Sequence, residues 1–204
     1  MHISEGVLSP PVLVAGAAIT AAGVAMGLKK MDNEKIPQVA VLTAAFFVAS
    51  LIRVPLGPSA VHLVLNGLLG LVLGWAAFPA ILVGLALQAL LFQYGGVTTL
   101  GVNTCIMAMP AIFCYYLFGR YIISKHTGVG TALAFACGFL AVLLSSLLLA
   151  ICLICTGESF LQAARILVLA HLPVMVLEGL IVVFCLAFLM KVKPELLGVT
   201  HAAG

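Results

Sequence analysis

The chain begins Met1-His2, which places three nitrogens in covalent sequence: an α-amine, the His2 backbone nitrogen and a His2 ring nitrogen. A metal held by all three closes two small fused chelate rings, and the backbone nitrogen must give up its proton. Only a metal that gains strongly from a planar nitrogen set can drive that loss, which points to Ni(II) or Cu(II). One position in the plane remains, and the imidazole of His62 can fill it. Removal of an initiator methionine normally requires a small second residue. His2 is large, so Met1 is expected to stay and to offer its amine. A histidine at position two carries little weight alone; its weight comes from a second histidine on the same side of a membrane.

Four further polar residues stand out in apolar surroundings. Asn66 follows His62 by four residues and is predicted to share a helix face with it. Asn103 follows the glycine-containing loop that starts at Tyr94. His171 and Glu178, seven residues apart, fall on nearly one face. Ionisable groups at membrane depth usually face a bundle interior or an aqueous cavity. Each also has a plainer reading. Glu178 can pair with a neighbour or sit protonated, Asn66 and Asn103 can pack or cap helices, and His171, ahead of Leu172-Pro173, can mark a helix start. These four are candidates for supporting a metal site rather than forming it.

The elements that must position these groups follow from composition. The chain has 204 residues, 64% hydrophobic and 7% charged, where soluble domains carry about a quarter charged residues. It cannot cover itself with water-facing side chains, so it is expected to be one integral membrane domain, residues 1–204. A net charge of +3 gives no reason to expect nucleic acid. The first ten residues hold no Lys or Arg, so no cleaved signal peptide is expected. The six cysteines lie in apolar runs and are read as small hydrophobes, including the Cys152-x-x-Cys155 pair. Apolar runs suited to spanning a bilayer lie at 10–28, 37–53, 59–75, 77–94, 103–122, 129–156 and 166–190. The third and fourth are separated only around Trp75–Pro79 and could form one broken element; Pro58 and Pro79 sit where those helices should begin. Lys29, Lys30, Lys35, Arg120, Lys125, Lys191 and Lys193 fall in one set of connections, and Arg53 and Arg165 in the other. That bias predicts an all-α bundle of seven transmembrane helices, N-terminus outside and C-terminus cytoplasmic. Gly23 and Gly27 form a G-x-x-x-G that suits close helix packing, inside the molecule or against a partner.

The pattern as a whole resembles the CbiM/NikM family, the substrate-binding membrane subunits of energy-coupling-factor transporters for cobalt and nickel. The resemblance rests on the start Met1-His2-Ile3-Ser4-Glu5-Gly6-Val7-Leu8-Ser9-Pro10, on Val54-Pro55-Leu56-Gly57-Pro58-Ser59-Ala60-Val61-His62-Leu63, and on the run from Gln88 through Tyr94-Gly95-Gly96 to Asn103. Ala170-His171-Leu172-Pro173, followed by Glu178-Gly179, is a fourth match. It implies that Met1, His2 and a helix-three histidine, His62, hold the metal. It also implies seven helices in a multi-pass protein of the plasma (inner) membrane. Three kinds of partner follow: cytoplasmic ATPase subunits, a coupling transmembrane subunit and a small accessory membrane subunit. Such a subunit is no enzyme and keeps no cofactor; Ni(II) or Co(II) is its cargo. The sequence agrees in lacking both a Walker-type G-x-x-x-x-G-K-[ST] loop and an H-E-x-x-H. Planar nitrogen ligation leans to nickel, and the family's cobalt members keep cobalt open.

The alternatives need features that are sparse here. A self-sufficient divalent-cation channel or secondary transporter would carry carboxylates through the membrane depth, and only Glu178 qualifies. An intramembrane enzyme would need a nucleophile with its base, or a catalytic metal with an open position. A purely structural subunit would have no use for His2 and His62.

Overall fold

A computed structural model of the chain describes residues 2–56, 59–124 and 128–197, with side chains throughout except at 53–56, 59–61, 123–124 and 158. Helix α1 spans Pro10–Lys30 and α2 spans Ile36–Ala49. Strands β1, Arg53–Leu56, and β2, Ser59–His62, form an antiparallel hairpin. Helices α3, Asn66–Leu73, and α4, Ala77–Phe92, are joined by a 3-10 turn at Gly74–Ala76. Then come α5, Leu100–Ser124, α6, Gly128–Thr156, α7, Leu161–Ala170, and α8, Leu172–Val192. Prolines lie in the first turns of α1, α2 and α8, where the missing N–H costs no helix bond.

Among the described residues, five helical stretches are long and apolar enough to cross a membrane: Pro10–Lys30, Asn66–Phe92, Leu100–Ile122, Gly128–Thr156 and Leu161–Val192. Apolar side chains such as Leu90, Phe184 and Val14 face outward. The buried set includes Asn66, Gln88, Asn103, Ser145 and Glu178. An apolar exterior, with the few polar groups of these segments turned into a mainly apolar core, is what a bilayer as solvent demands. The stretch 66–92 lies at the centre, with 72% of its window buried, and α1 lies at the rim, with 22%. α1 buries Gly16, Thr20, Gly23 and Gly27. A Cβ at Gly27 would lie 2.5 Å from the Trp75 carbonyl oxygen, so the G-x-x-x-G stripe is consumed by internal packing.

The sequence reading of 59–75 as one helix is corrected. Ser59–His62 is extended and pairs with Arg53–Leu56 in the register Arg53↔His62 to Leu56↔Ser59. Pro55 in β1 biases Val54 toward extended backbone, and the hairpin satisfies ladder groups that a membrane would leave unpaired. His62 therefore lies ahead of the third helix and does not share a helix face with Asn66, which opens α3. Pro58, expected to begin that helix, lies outside the described residues. Pro79 falls in the first turn of α4, and His171 marks the start of α8.

The helix ends sort into two groups. At one end the N-terminal segment meets the last turn of α6, where the Ser9 N–H donates to Thr156 Oγ1 at 3.3 Å. At the other, Lys30 lies 5.0 Å from the centre of the Trp75 ring, and both line a cavity of about 550 Å³ with Lys35, Tyr115 and Leu197.

Candidate metal site

Ile3 and Leu8 anchor the N-terminal segment in the core, 4% and 7% exposed. Between them Glu5 Oε1 accepts from the Thr98 N–H at 3.1 Å and from Thr98 Oγ1 at 3.3 Å. Asn103, in the first turn of α5, pairs with the Ile3 backbone in both directions. The Ile3 N–H donates to Asn103 Oδ1 at 3.0 Å, and Asn103 Nδ2 donates to the Ile3 carbonyl at 3.1 Å. The residue after His2 is thus tied to α5 through both of its backbone groups. Gly95, at φ +77°, passes so close that a Cβ there would lie 2.8 Å from Asn103 Nδ2.

The second strap carries His62. Its Nδ1–H donates to the Leu63 carbonyl at 2.9 Å. Leu65 then takes a left-handed conformation, φ +51°, before α3 starts. Glu178 of α8, fully buried, accepts from the N–H groups of Val64 and Leu65, the latter at 3.0 Å to each carboxylate oxygen. These amides stand at the opening of a helix whose first N–H groups lack intrahelical partners, where a carboxylate is the natural acceptor.

The two straps bring the imidazoles together. His62 Nε2 stands 2.9 Å from His2 Nδ1, with ring centroids 4.6 Å apart. Tyr94 flanks His2, its ring centroid 6.3 Å away, and stacks in turn on Phe92. Burial, with the neighbouring His2 and His171 imidazoles adding to it, lowers the His62 pKa from 6.5 to about 2. His62 is therefore neutral, with its proton on Nδ1 and a lone pair on Nε2. Among the described residues no group of three His, Cys, Asp or Glu side chains could hold a metal. Further donors would have to be backbone or terminal nitrogens.

Of the residues singled out from sequence, Asn103 holds the His2 strap and Glu178 holds the His62 strap. Asn66 sits beneath, donating from Nδ2 to the Met107 carbonyl at 3.1 Å and to Ser145 Oγ at 2.9 Å. His171 donates from Nδ1 to the Leu167 carbonyl at 2.7 Å. Asn66 Oδ1 and His171 Nε2 are buried without a hydrogen-bond partner among the described residues. Met1 lies outside the described residues. The cysteines are free thiols, Cys152 partly buried and Cys155 exposed.

Two residues at the site carry no role in the sequence reading. Gln88 Oε1 lies 2.6 Å from His2 Nε2, and Gln88 Nε2 donates to Ser50 Oγ at 2.7 Å. Both residues are buried, at 0% and 1% exposure. The available signal was a lone amide in the otherwise apolar helix AFPAILVGLALQALLF.

A partly buried pair of facing imidazoles, held by two straps at one end of an apolar helical bundle, is an arrangement suited to a membrane protein that handles metal ions. The family model described as cobalt uptake substrate-specific transmembrane region matches residues 2–196, and the chain belongs to this CbiM/NikM family. A Haemophilus influenzae protein named for metal transport is 42% identical across 98% of both chains. The cobalt transport protein CbiM of Kyrpidia tusciae is 34% identical over 97% of this chain and 86% of its own length. A crystal structure of a transition metal transporter superposes with a TM-score of 0.82 at 28% identity, covering 94% of this chain and 93% of its own.

Proposed function

We propose that the chain is the substrate-capture membrane subunit of an ATP-driven energy-coupling-factor importer for nickel or cobalt ions. The carrying observation is the 2.9 Å separation of His2 Nδ1 and His62 Nε2. Adjacent donors on a square plane, each about 2.0 Å from a metal, lie about 2.8 Å apart. The remaining donors in this reading are the Met1 amine and the His2 backbone nitrogen. Amine and amide close a five-membered ring; amide and Nδ1 close a six-membered one. In this reading Ni(II) takes the place of the amide proton, which leaves to solvent, and the lone pairs of the other three nitrogens complete the plane. The chemistry favours nickel, with cobalt the second cargo.

The same reading has the chain cross the plasma membrane seven times. α2 counts as a crossing, α3 and α4 form two arms of a reversal, and α7 with α8 makes the last. The end bearing Lys29, Lys30, Lys35 and Lys191 is cytoplasmic, by the positive-inside rule. The metal site then opens outward. Energy comes from cytoplasmic ATPase subunits through a coupling transmembrane subunit, with a small accessory membrane subunit completing the complex. A self-sufficient channel or secondary transporter is disfavoured. Glu178, a buried carboxylate of α8, is engaged by the backbone amides of Val64 and Leu65.

The test is nickel titration of the purified chain with its native start, with one alanine inserted between Met1 and His2, and with a tag ahead of Met1. The native protein should bind with the d–d absorption of planar Ni(II) and release a proton from the amide. Insertion and tag should each weaken binding strongly. Equal binding by the tagged protein would remove the terminal amine from the ligand set.

A further inference from the structure

The proposed chelate needs a proton in one particular place. Only Nδ1 of the His2 ring can close a ring with its own backbone nitrogen; Nε2 is on the far side. If Nδ1 carried the proton, it would also donate across the 2.9 Å gap to His62 Nε2, and the two imidazoles would tie up each other. His62 Nε2, an acceptor, thus competes for the ring proton of His2, and a stronger acceptor on Nε2 is what would leave the Nδ1 lone pair for the metal.

The surroundings contain a chain of hydrogen bonds whose direction is fixed at its far end. Phe47, near the end of α2, presents a carbonyl that can only accept. The amide four residues on, Leu51, donates to Val48 instead, at 3.0 Å. Ser50 Oγ supplies the missing donor, 2.5 Å from the Phe47 oxygen. With its hydroxyl proton spent there, Ser50 Oγ accepts from Gln88 Nε2 at 2.7 Å. That turns Gln88 Oε1 toward His2 Nε2, 2.6 Å away, and an amide oxygen facing a ring nitrogen at that distance requires the N–H form. Each link follows from the one before, and the chain ends with the His2 proton on Nε2.

We infer that Gln88, oriented by Ser50, is a positioning residue that holds the His2 imidazole in its Nε2–H form and so aims Nδ1 at the metal. This rests on the reading of His2 and His62 as metal donors. It adds that the chelating form is set in the metal-free protein by two side chains that never touch the ion. Outer partners of metal-bound histidines fix tautomer and ring orientation in this way, and losing one typically weakens metal binding by about 10–100-fold.

The experiment reads the tautomer directly. ¹⁵N ring shifts of His2 are measured in the metal-free, detergent-solubilised full chain, and nickel affinity is measured on the same samples. The unsubstituted protein should show His2 as Nε2–H. Gln88→Leu should shift His2 toward Nδ1–H, hydrogen-bonded to His62, with nickel binding about 10–100-fold weaker. Gln88→Glu keeps an acceptor facing Nε2 and should restore the Nε2–H form. If Gln88→Leu does not fold, Ser50→Ala removes the acceptor that orients the amide and should produce a mixture of tautomers. An Nδ1–H form in the unsubstituted protein, either as the neutral ring or as an imidazolium donating to both Gln88 and His62, would overturn the inference. So would an unchanged tautomer and unchanged nickel affinity in the folded variant. The tautomer is read without metal, so it is separable from the site reading. If His62→Ala leaves nickel binding intact while Gln88→Leu still flips the tautomer, the donor assignment fails and the relay stands.

Discussion

At the scale of single residues, the candidate site is two imidazoles, one facing the Gln88 side-chain amide and the other the Leu63 carbonyl. His62→Ala removes a planar donor and should lower nickel affinity by at least about 100-fold, read by calorimetry, while leaving the bundle folded. Its burial also makes a pH prediction. Between pH 6.5 and about 2 the unfolded chain holds a proton on His62 that the folded chain does not. Stability of the metal-free protein therefore rises with pH across that window and falls on acidification below 6.5. Thermal unfolding in detergent at pH 7 and pH 5 checks this, and His62→Gln should flatten the difference; parallel slopes would count against it. His2 and His62 were legible in the sequence because imidazoles are sparse in so apolar a chain. Gln88 was not. A single amide on an apolar helix reads as packing, and its role depends on Ser50 and His2, which lie 38 and 86 residues away in sequence.

At the scale of elements, the two straps do the positioning. Asn103→Leu keeps the side chain's size but strips both bonds to Ile3. It should speed amide exchange at Ile3 and weaken nickel binding by about tenfold or more. Glu178→Leu leaves two buried amides unsatisfied, at about 1–3 kcal/mol each, and should lower the unfolding temperature. Glu178→Gln retains one acceptor oxygen and should lose less. Gly95→Ala places a side chain in a left-handed backbone, costing about 1–2 kcal/mol before any contact with Asn103 is counted. Sequence pattern located α1, α4, α5 and α6 to within three residues at each end, because apolar runs mark their limits, but read 166–190 as one span where α7 ends at Ala170 and α8 begins at Leu172. It missed the hairpin because hydropathy is blind to backbone conformation. Val54–Leu63 is apolar enough to pass for the first turns of a helix, and only its pairing with itself reveals otherwise.

At the scale of the whole molecule, the helix ends divide into a histidine end and a lysine end, and the proposed orientation rests on that division. With the native cysteines replaced, Ser4→Cys should react with an impermeant thiol reagent added outside intact cells. Lys35→Cys should react only once the inner face is opened, and the reverse pattern would invert the topology. The divided ends also constrain biosynthesis. The contacts that build the site join His2 to Gln88, Ile3 to Asn103 and Ser9 to Thr156, across separations of 86, 100 and 147 residues. The leading peptide leaves the ribosome first yet has no seat until the fifth helix has been made, and no complete one until the sixth. If the proposed site is right, its assembly comes late in translation, and a chain stalled before residue 103 should emerge unable to sequester nickel.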